Sequence, residues 1–385
     1  MTVLEAVVRQ TGVYASSRKG RLSVYWGDQV FIPSAPFKYT PTHHVDIMCT
    51  LLGDTAPTAE EWVAQGLDKY GVIAVLQGDE KNAAQVEKID HATAVKMLAS
   101  LGKIGQVGPS LGSFSVSSEF LTALCKEYST ELAEKVAKLD TDPHFWMPLT
   151  LPEVEYISLM EQKGIEADVS EKHHQRMAIF KATLDLSQMG IFGAVNVGSN
   201  ACWWDYGLVK LYSKNNLKLL GTDSESDLLR QFMGITDNVM ESELGSTDVD
   251  ESSRVFGCTI KEGGFIKGSA MAGVTAKIVE AEGAIIVNCV APKIVAGKGS
   301  ILYNLISDEE IIAEAGAIIV EVMEESGDKY ILKSDMNTCG GNAWKIKLPT
   351  NDFSFEEVHG KNQDVNISVI EGKRQELYKK FAASL

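Results

Sequence analysis

The chain has 385 residues, 45% apolar and 23% charged, a balance that excludes general disorder and suits two domains or one large one. Its 36 Lys and Arg against 52 Asp and Glu leave a formal charge of −16, which argues against nucleic acid or an anionic membrane as the main partner. A local pocket or a bound cation still admits an anionic small substrate.

The six cysteines, Cys49, Cys125, Cys202, Cys258, Cys289 and Cys339, are scattered without a CxxC, so they read as reduced thiols of an intracellular protein. Met1–Gln10 lacks a basic stretch followed by a long apolar run. Apolar runs such as Ala284–Val287 are too short to span a bilayer. The expectation is a cytoplasmic protein with no membrane partner.

From about residue 10 to 235, short β-like runs alternate with helical patterns. Strand candidates are Leu22–Tyr25, Val45–Leu51, Val72–Leu76, Val107–Ser115 and Ala194–Val197. Leu121, Leu124, Tyr128, Leu132, Val136 and Leu139 fall at helical spacing, and Met177, Phe180 and Leu184 do so more weakly. Strand alternating with helix predicts an α/β layer structure with a mainly parallel sheet. The polar stretch Gly221–Asp227 and the acidic segment Glu241–Ser253 read as a boundary and a linker.

The next region keeps a period of six. Ile260, Ile266, Ala272, Ile278, Ala284, Val290, Ala296 and Leu302 are evenly spaced, most with a small or short residue four positions on, such as Gly264, Ala270, Ala276, Asn288 or Ser300. A helix does not produce that period, whereas a parallel β-helix does, because each short strand turns one aliphatic side chain inward before a corner. Ile370, Leu377, Tyr378, Phe381 and Leu385 then share one face of a predicted terminal helix that docks by its apolar stripe. Hexapeptide β-helices that carry acyl transfer or carbonic anhydrase chemistry need histidine beside the coils. The seven histidines are His43, His44, His91, His144, His173, His174 and His359, none of them between 255 and 358. The β-helix therefore reads as a structural or assembly element.

Three short motifs carry candidate chemistry. Within Val24–Phe31 an apolar strand ends in Gly27-Asp28, and a carboxylate at the C-terminal end of a strand faces the crevice where parallel sheets bind ligands. Val86-Glu87-Lys88-Ile89 follows the strand-like Tyr70–Val75, and Lys beside Glu suits a phosphate and a hydroxyl of one small ligand. Asn196–Gly207 contains Trp203-Trp204-Asp205-Tyr206-Gly207. On the residues alone each has a plain structural reading too: a turn, a solvated strand edge, and an aromatic cluster whose aspartate caps a helix.

In order and spacing, these motifs and the β-helix behind them resemble the sugar-1-phosphate nucleotidyltransferases, the sugar-nucleotide pyrophosphorylases, over about Gly12 to Leu302. The resemblance implies a partial Rossmann-like, nucleotidyltransferase-type α/β sheet followed by a left-handed hexapeptide β-helix. The domains expected are 1–235 α/β, 236–254 acidic linker, 255–340 β-helix and 341–385 a C-terminal extension with a helix. It further implies that Asp28 and Asp205 hold a catalytic Mg²⁺, that Glu87 and Lys88 contact the sugar and its phosphate, and that Gly27, Gly71 and Gly112 line the substrate pocket. The implied reaction transfers a nucleotidyl group from a nucleoside triphosphate to a sugar 1-phosphate, with release of pyrophosphate. No covalent intermediate is needed, so catalysis is positioning plus charge neutralisation.

Two features depart from the family pattern. Its Glu-Lys-Pro reads Glu87-Lys88-Ile89 here, and its glycine-rich loop ending in Gly-Thr-Arg has no counterpart in the 385 residues. Gly27-Asp28 thus stands close to Met1, and the opening strands of the sheet are expected to be missing. A fragment, a split enzyme, or a degenerate subunit with an assembly or regulatory role each accounts for this. A partial sheet leaves an edge for a partner to cover, so a homo- or hetero-oligomer is expected.

Overall fold

In the first half of the chain, short aliphatic runs broken by turns fold into a mixed sheet. The computed structural model describes residues 20–33, 39–52, 57–77, 79–134, 140–338 and 341–385. Contacts divide these into two units, one ending at Trp203 and one running from Trp204 to Leu385.

The first unit contains β1 (Arg21–Val24), β2 (Gln29–Ile32), β3 (His43–Cys49), β4 (Gly71–Leu76), β5 (Asp79–Glu87), β6 (Ile104–Ser117) and β7 (Gly190–Asn196), and β8 (Cys202–Asp205) crosses into the second. Six of these strands form one sheet in the order β1-β6-β3-β7-β5-β4, and β4 also pairs with β6. The fourteen-residue β6 makes this possible: up to Pro109 it pairs with β4, and from Ser110 onward with β3. The α/β class and the C-terminal β-helix are as expected. The parallel pairing is concentrated in the β-helix, however. In this first sheet β3 and β7 run parallel while β1–β6, β3–β6, β4–β6, β4–β5 and β5–β7 are antiparallel. Alternation of strand and helix does not reveal this, because the hairpin partner β5 has too polar a sequence (Asp79–Glu87) to read as a strand.

Helices α1 (Ala59–Ala64) and α2 (His91–Ser100) precede β4 and β6. A helical layer then separates β6 from β7: α3 (Ser118–Glu127), α4 (Ser129–Glu134), a π-helical turn (Asp142–Trp146), α5 (Met147–Thr150), α6 (Glu153–Gln162) and α7 (Ala167–Ala182). The predicted long helix through Leu121 and Leu132 is broken at Tyr128, and Val136 and Leu139 lie outside the described residues. One core joins Val45, Ile47 and Phe114 of the sheet to Phe120, Trp146, Met177 and Phe180 of the layer. A second gathers Trp62, Val72, Val86, Leu98, Met147 and Leu159.

β1 is fixed by a buried ion pair. Arg21 reaches Asp46 of β3 at 3.1 Å and also donates to Ser115 Oγ at 2.8 Å and to the His43 carbonyl at 2.9 Å. Tyr39 and His43 approach the same carboxylate. A buried carboxylate is tolerated only when paired and hydrogen-bonded in this way. The turn Trp26–Asp28 that follows β1 inherits that anchor.

The second unit begins with α8 (Val209–Leu217) and α9 (Ser224–Met233), the latter capped by Asp223 within the stretch read as a boundary. Next come β9 (Val239–Met240), β10 (Asp248–Val249), β11 (Arg254–Phe256), β12 (Thr259–Lys267), β13 (Ala270–Ala272), β14 (Thr275–Glu282) and β15 (Ile285–Val287). After these follow β16 (Val290–Ala296), β17 (Ile301–Tyr303), β18 (Ile311–Ala313), β19 (Ala317–Met323) and β20 (Lys329–Asp335). All pair parallel except the final β19–β20 hairpin. The acidic segment Glu241–Ser253 is thus already a coil of the β-helix: β10 lies in it and Glu243 bridges Thr259.

The structural repeat is the coil and not the hexad. Met271, Ile286, Leu302 and Ile319 stack in register at separations of 15, 16 and 17 residues, short of the 18 that three hexads would require. Of the eight hexad positions, Ala272 and Ile278 are only half-buried. Their neighbours Met271 and Val279 fill the interior instead. A segment this rich in aliphatic residues meets a period of six without being built on one. The corner residues carry the true period: Gly257, Gly273, Asn288 and Asn304 all take positive φ, between 52° and 62°. Only Gly, and Asn at some cost, adopts that conformation readily. Two final helices, α10 (Phe355–Lys361) and α11 (Ile367–Ser384), close the chain.

Candidate functional site

Of the expected site residues of the first unit, Gly27, Asp28, Gly71, Glu87 and Lys88 lie at the end of a strand or in a turn beside one, and Gly112 lies within β6. Gly27 and Asp28 are exposed in the turn between β1 and β2. The preceding Trp26, 46% exposed, lies against Gly112. Gly112 has φ +75°, and a Cβ there would collide with the Trp26 indole, so this glycine admits the ring. Below the turn, Gln29 accepts a hydrogen bond from Trp203 Nε1–H at 3.2 Å, and Trp203 packs edge-on against Tyr70 at 5.1 Å.

Gly71 opens β4 and pairs with Glu87 at the end of β5. The Glu87 side chain lies outside the described residues. Lys88 follows at φ +52°, unusual for a residue with a Cβ, and its N–H donates to the Tyr70 carbonyl at 3.3 Å. Ile89, where the family has proline, is 5% exposed in the second core, and its carbonyl accepts from Trp62 Nε1–H at 3.2 Å. Asp90 then caps α2 through the Thr93 N–H. The anchored Ile89 and the left-handed Lys88 together end the strand and set the lysine at a cleft.

That cleft, of about 600 Å³, is lined on the sheet side by Trp26 and Lys88, and on the helical side by residues such as His144, Tyr156, Lys163 and His173. Sequence reasoning missed the helical wall, because its members are dispersed over three elements with no motif. Its centre is the π-helical turn, where the wider hydrogen-bond spacing frees backbone carbonyls. Side chains recover them. Tyr156 donates to the Pro143 carbonyl at 2.9 Å, and Tyr128 and His173 Nε2–H donate to that of His144 at 3.2 and 2.9 Å. Burial pushes the Tyr156 hydroxyl up to about 12, which keeps it a donor. Burial also lowers His173 below the ordinary histidine value, holding the ring neutral. Arg176, paired with Glu127 and Glu131, lies over the Tyr128 ring at 4.4 Å and braces the layer.

Asp205 belongs to the second unit. It is half-buried at the end of β8, where Oδ1 accepts the Gly207 N–H at 2.7 Å and its carbonyl accepts from Asn215 at 2.7 Å. It therefore makes a turn before α8; the helix cap position is Leu208. Trp204, 2% exposed, is a buried packing residue whose indole N–H meets Glu225. Among the described residues no group of three or more His, Cys, Asp or Glu side chains could hold a metal ion. No helix among them is long and apolar enough to cross a membrane.

No family model matches the chain. No curated protein matches it either. Among solved structures, one match is the crystal structure of a mannose-1-phosphate geranyltransferase from Thermus thermophilus. It is 12% identical, spans 85% of this chain and 69% of its own, and superposes with a TM-score of 0.23. A likeness that slight bears on neither fold nor chemistry.

Proposed function

We propose that the chain transfers a nucleotidyl group from a nucleoside triphosphate to a sugar 1-phosphate, releasing pyrophosphate. The observation that supports this reading is the position of Lys88. Strand geometry ends at Glu87, the backbone turns left-handed, and the lysine lines a substrate-sized cleft with Trp26, two residues ahead of Asp28. A lysine there offsets the charge of a phosphate, and the exposed indole offers a face to a sugar ring. In the reaction a phosphate oxygen of the acceptor attacks the α-phosphorus. The bond to the β-phosphate breaks, and pyrophosphate leaves with the electron pair.

The carboxylates of Asp28 and Asp205 are hard oxygen donors of the kind Mg²⁺ takes. That ion is typically held by one or two carboxylates, with substrate phosphates and waters completing its shell, so a cluster of three protein ligands is not required. When bound, Mg²⁺ would neutralise phosphate charge that a chain of net charge −16 does not otherwise offset.

The test is pyrophosphate release by the full chain with Mg²⁺, over a panel of nucleoside triphosphates and sugar 1-phosphates. Asp28→Asn, Asp205→Asn and Lys88→Ala are each expected to lower the rate by ~100-fold or more, the size of a lost charge-stabilising contact. Wild-type silence over the whole panel would overturn the reading in favour of a non-catalytic subunit.

A further inference from the structure

Two parts of the proposed site stand on separate elements. Asp28 lies in the turn before β2, and Lys88 follows β5. Strand pairing does not join them directly, because β2 is outside the six-stranded sheet that contains β4 and β5. One half-buried side chain, Trp203, reaches towards both. It donates its Nε1–H to Gln29 Oε1 at 3.2 Å, and Gln29 is the residue after Asp28. The same indole packs edge-on against Tyr70, with ring centroids 5.1 Å apart and planes at 69°. The Tyr70 carbonyl in turn accepts the Lys88 N–H at 3.3 Å, where the backbone turns left-handed at φ +52°. Trp203 is itself held against the core of Phe31, Leu111 and Val195. Packing alone would need only an apolar side chain at 203. An indole whose single donor is spent on one turn and whose ring is spent on the other is a clasp between them.

We propose that Trp203 is a positioning residue of the transfer reaction. Through Gln29 on one side and Tyr70 on the other, it fixes the Asp28 turn and Lys88 relative to each other. The inference rests on the reading above and goes beyond it. The role is geometric, and no proton or charge is assigned to the indole. A reaction driven by placement and charge neutralisation is sensitive to such a residue, since a misplacement of about 1 Å costs on the order of 100-fold in rate. Groups that orient a carboxylate or a cation from behind act in the same way.

The experiment is a double-mutant cycle between Trp203 and Lys88, read as the rate of pyrophosphate release by the full chain. Trp203→Leu is expected to lower kcat by ~10-fold or more. Trp203→Phe, which keeps a ring on Tyr70 and loses the N–H, is expected to fall between Trp203→Leu and wild type. Gln29→Leu should match Trp203→Phe, and the two combined should be no worse than either, because both remove one bond. In a Lys88→Ala background Trp203→Leu is expected to cost clearly less than in the wild type, because one of the groups it places is gone. A residue that only supports the fold lowers the rate by the same factor in both backgrounds. Equal factors, or wild-type rates in both Trp203→Leu and Gln29→Leu, would overturn the clasp and leave the proposed activity standing. If Trp203→Leu loses its cooperative thermal transition, the cycle between Gln29→Leu and Lys88→Ala decides by the same rule. Wild-type silence over the whole substrate panel overturns both.

Discussion

At the scale of single residues, two features concentrate the physics. Gly112 is the floor on which Trp26 rests, and its φ of +75° is unfavourable for a residue with a Cβ. Gly112→Ala is therefore expected to cost about 1–3 kcal/mol, from backbone strain and overpacking together, and to displace the indole. Urea denaturation and the Trp emission maximum check it, and an unchanged emission would contradict this geometry. Glu321 is the second. It is 4% exposed, with Oε2 meeting Lys329 at 3.0 Å and the Ile306 N–H at 3.3 Å, and Oε1 has no hydrogen-bond partner. Burial raises its pKa above the usual 4.5, the Lys329 contacts pulling the other way. A raised carboxylate binds its proton more tightly folded than unfolded. Its contribution to stability is thus lost as pH rises from the unfolded value through the folded one. The stability of Glu321→Gln relative to wild type should therefore increase over that window and level off above it. A difference independent of pH would show that burial does not govern the group.

At the scale of elements, local sequence predicts existence better than docking. β1, β3, β4, β6 and β7 each fall on an expected strand to within a few residues, because aliphatic runs between turns report burial directly. β5 escaped notice because pairing with β4, and not its own composition, makes it a strand. The terminal helix α11 was legible too, but its anchor was not. Its docking face is centred on Arg374, 8% exposed and bonded to the Asn288 carbonyl at 2.7 Å, and on Tyr378, bonded to the Gly273 carbonyl at 2.8 Å and Thr275 Oγ1 at 3.0 Å. Ile370, Leu377 and Phe381 are only half-buried around that polar centre. Arg374→Ala combined with Tyr378→Phe is expected to speed amide exchange throughout Ile367–Ser384 by ~10-fold or more, given about 1 kcal/mol or more per lost bond. The coils are expected to keep their protection. Exchange unchanged in α11 would return the docking to the apolar side chains.

At the scale of the whole molecule, each unit has its own buried core, and neither is built around a metal among the described residues. Chelation by EDTA is therefore expected to abolish pyrophosphate release while leaving the thermal midpoint unchanged. A fall in the midpoint would reveal a structural metal. Composition and charge framed the expectation about partners, since a charge of −16 is a property of the chain whatever its fold. The α/β character and the β-helix were legible for a related reason: both are written in short-range patterns of burial. The coil length was not, because a dense aliphatic segment satisfies several periods at once and only strand register, visible in the positive-φ corners Gly273, Asn288 and Asn304, selects among them. The candidate site divides in the same way. Lys88 and Gly112 could be named from short motifs. That Lys88 shares a cleft with His144 and Lys163, 56 and 75 positions further along, was decided by the tertiary structure, because only folding brings side chains so far apart in sequence to one cleft.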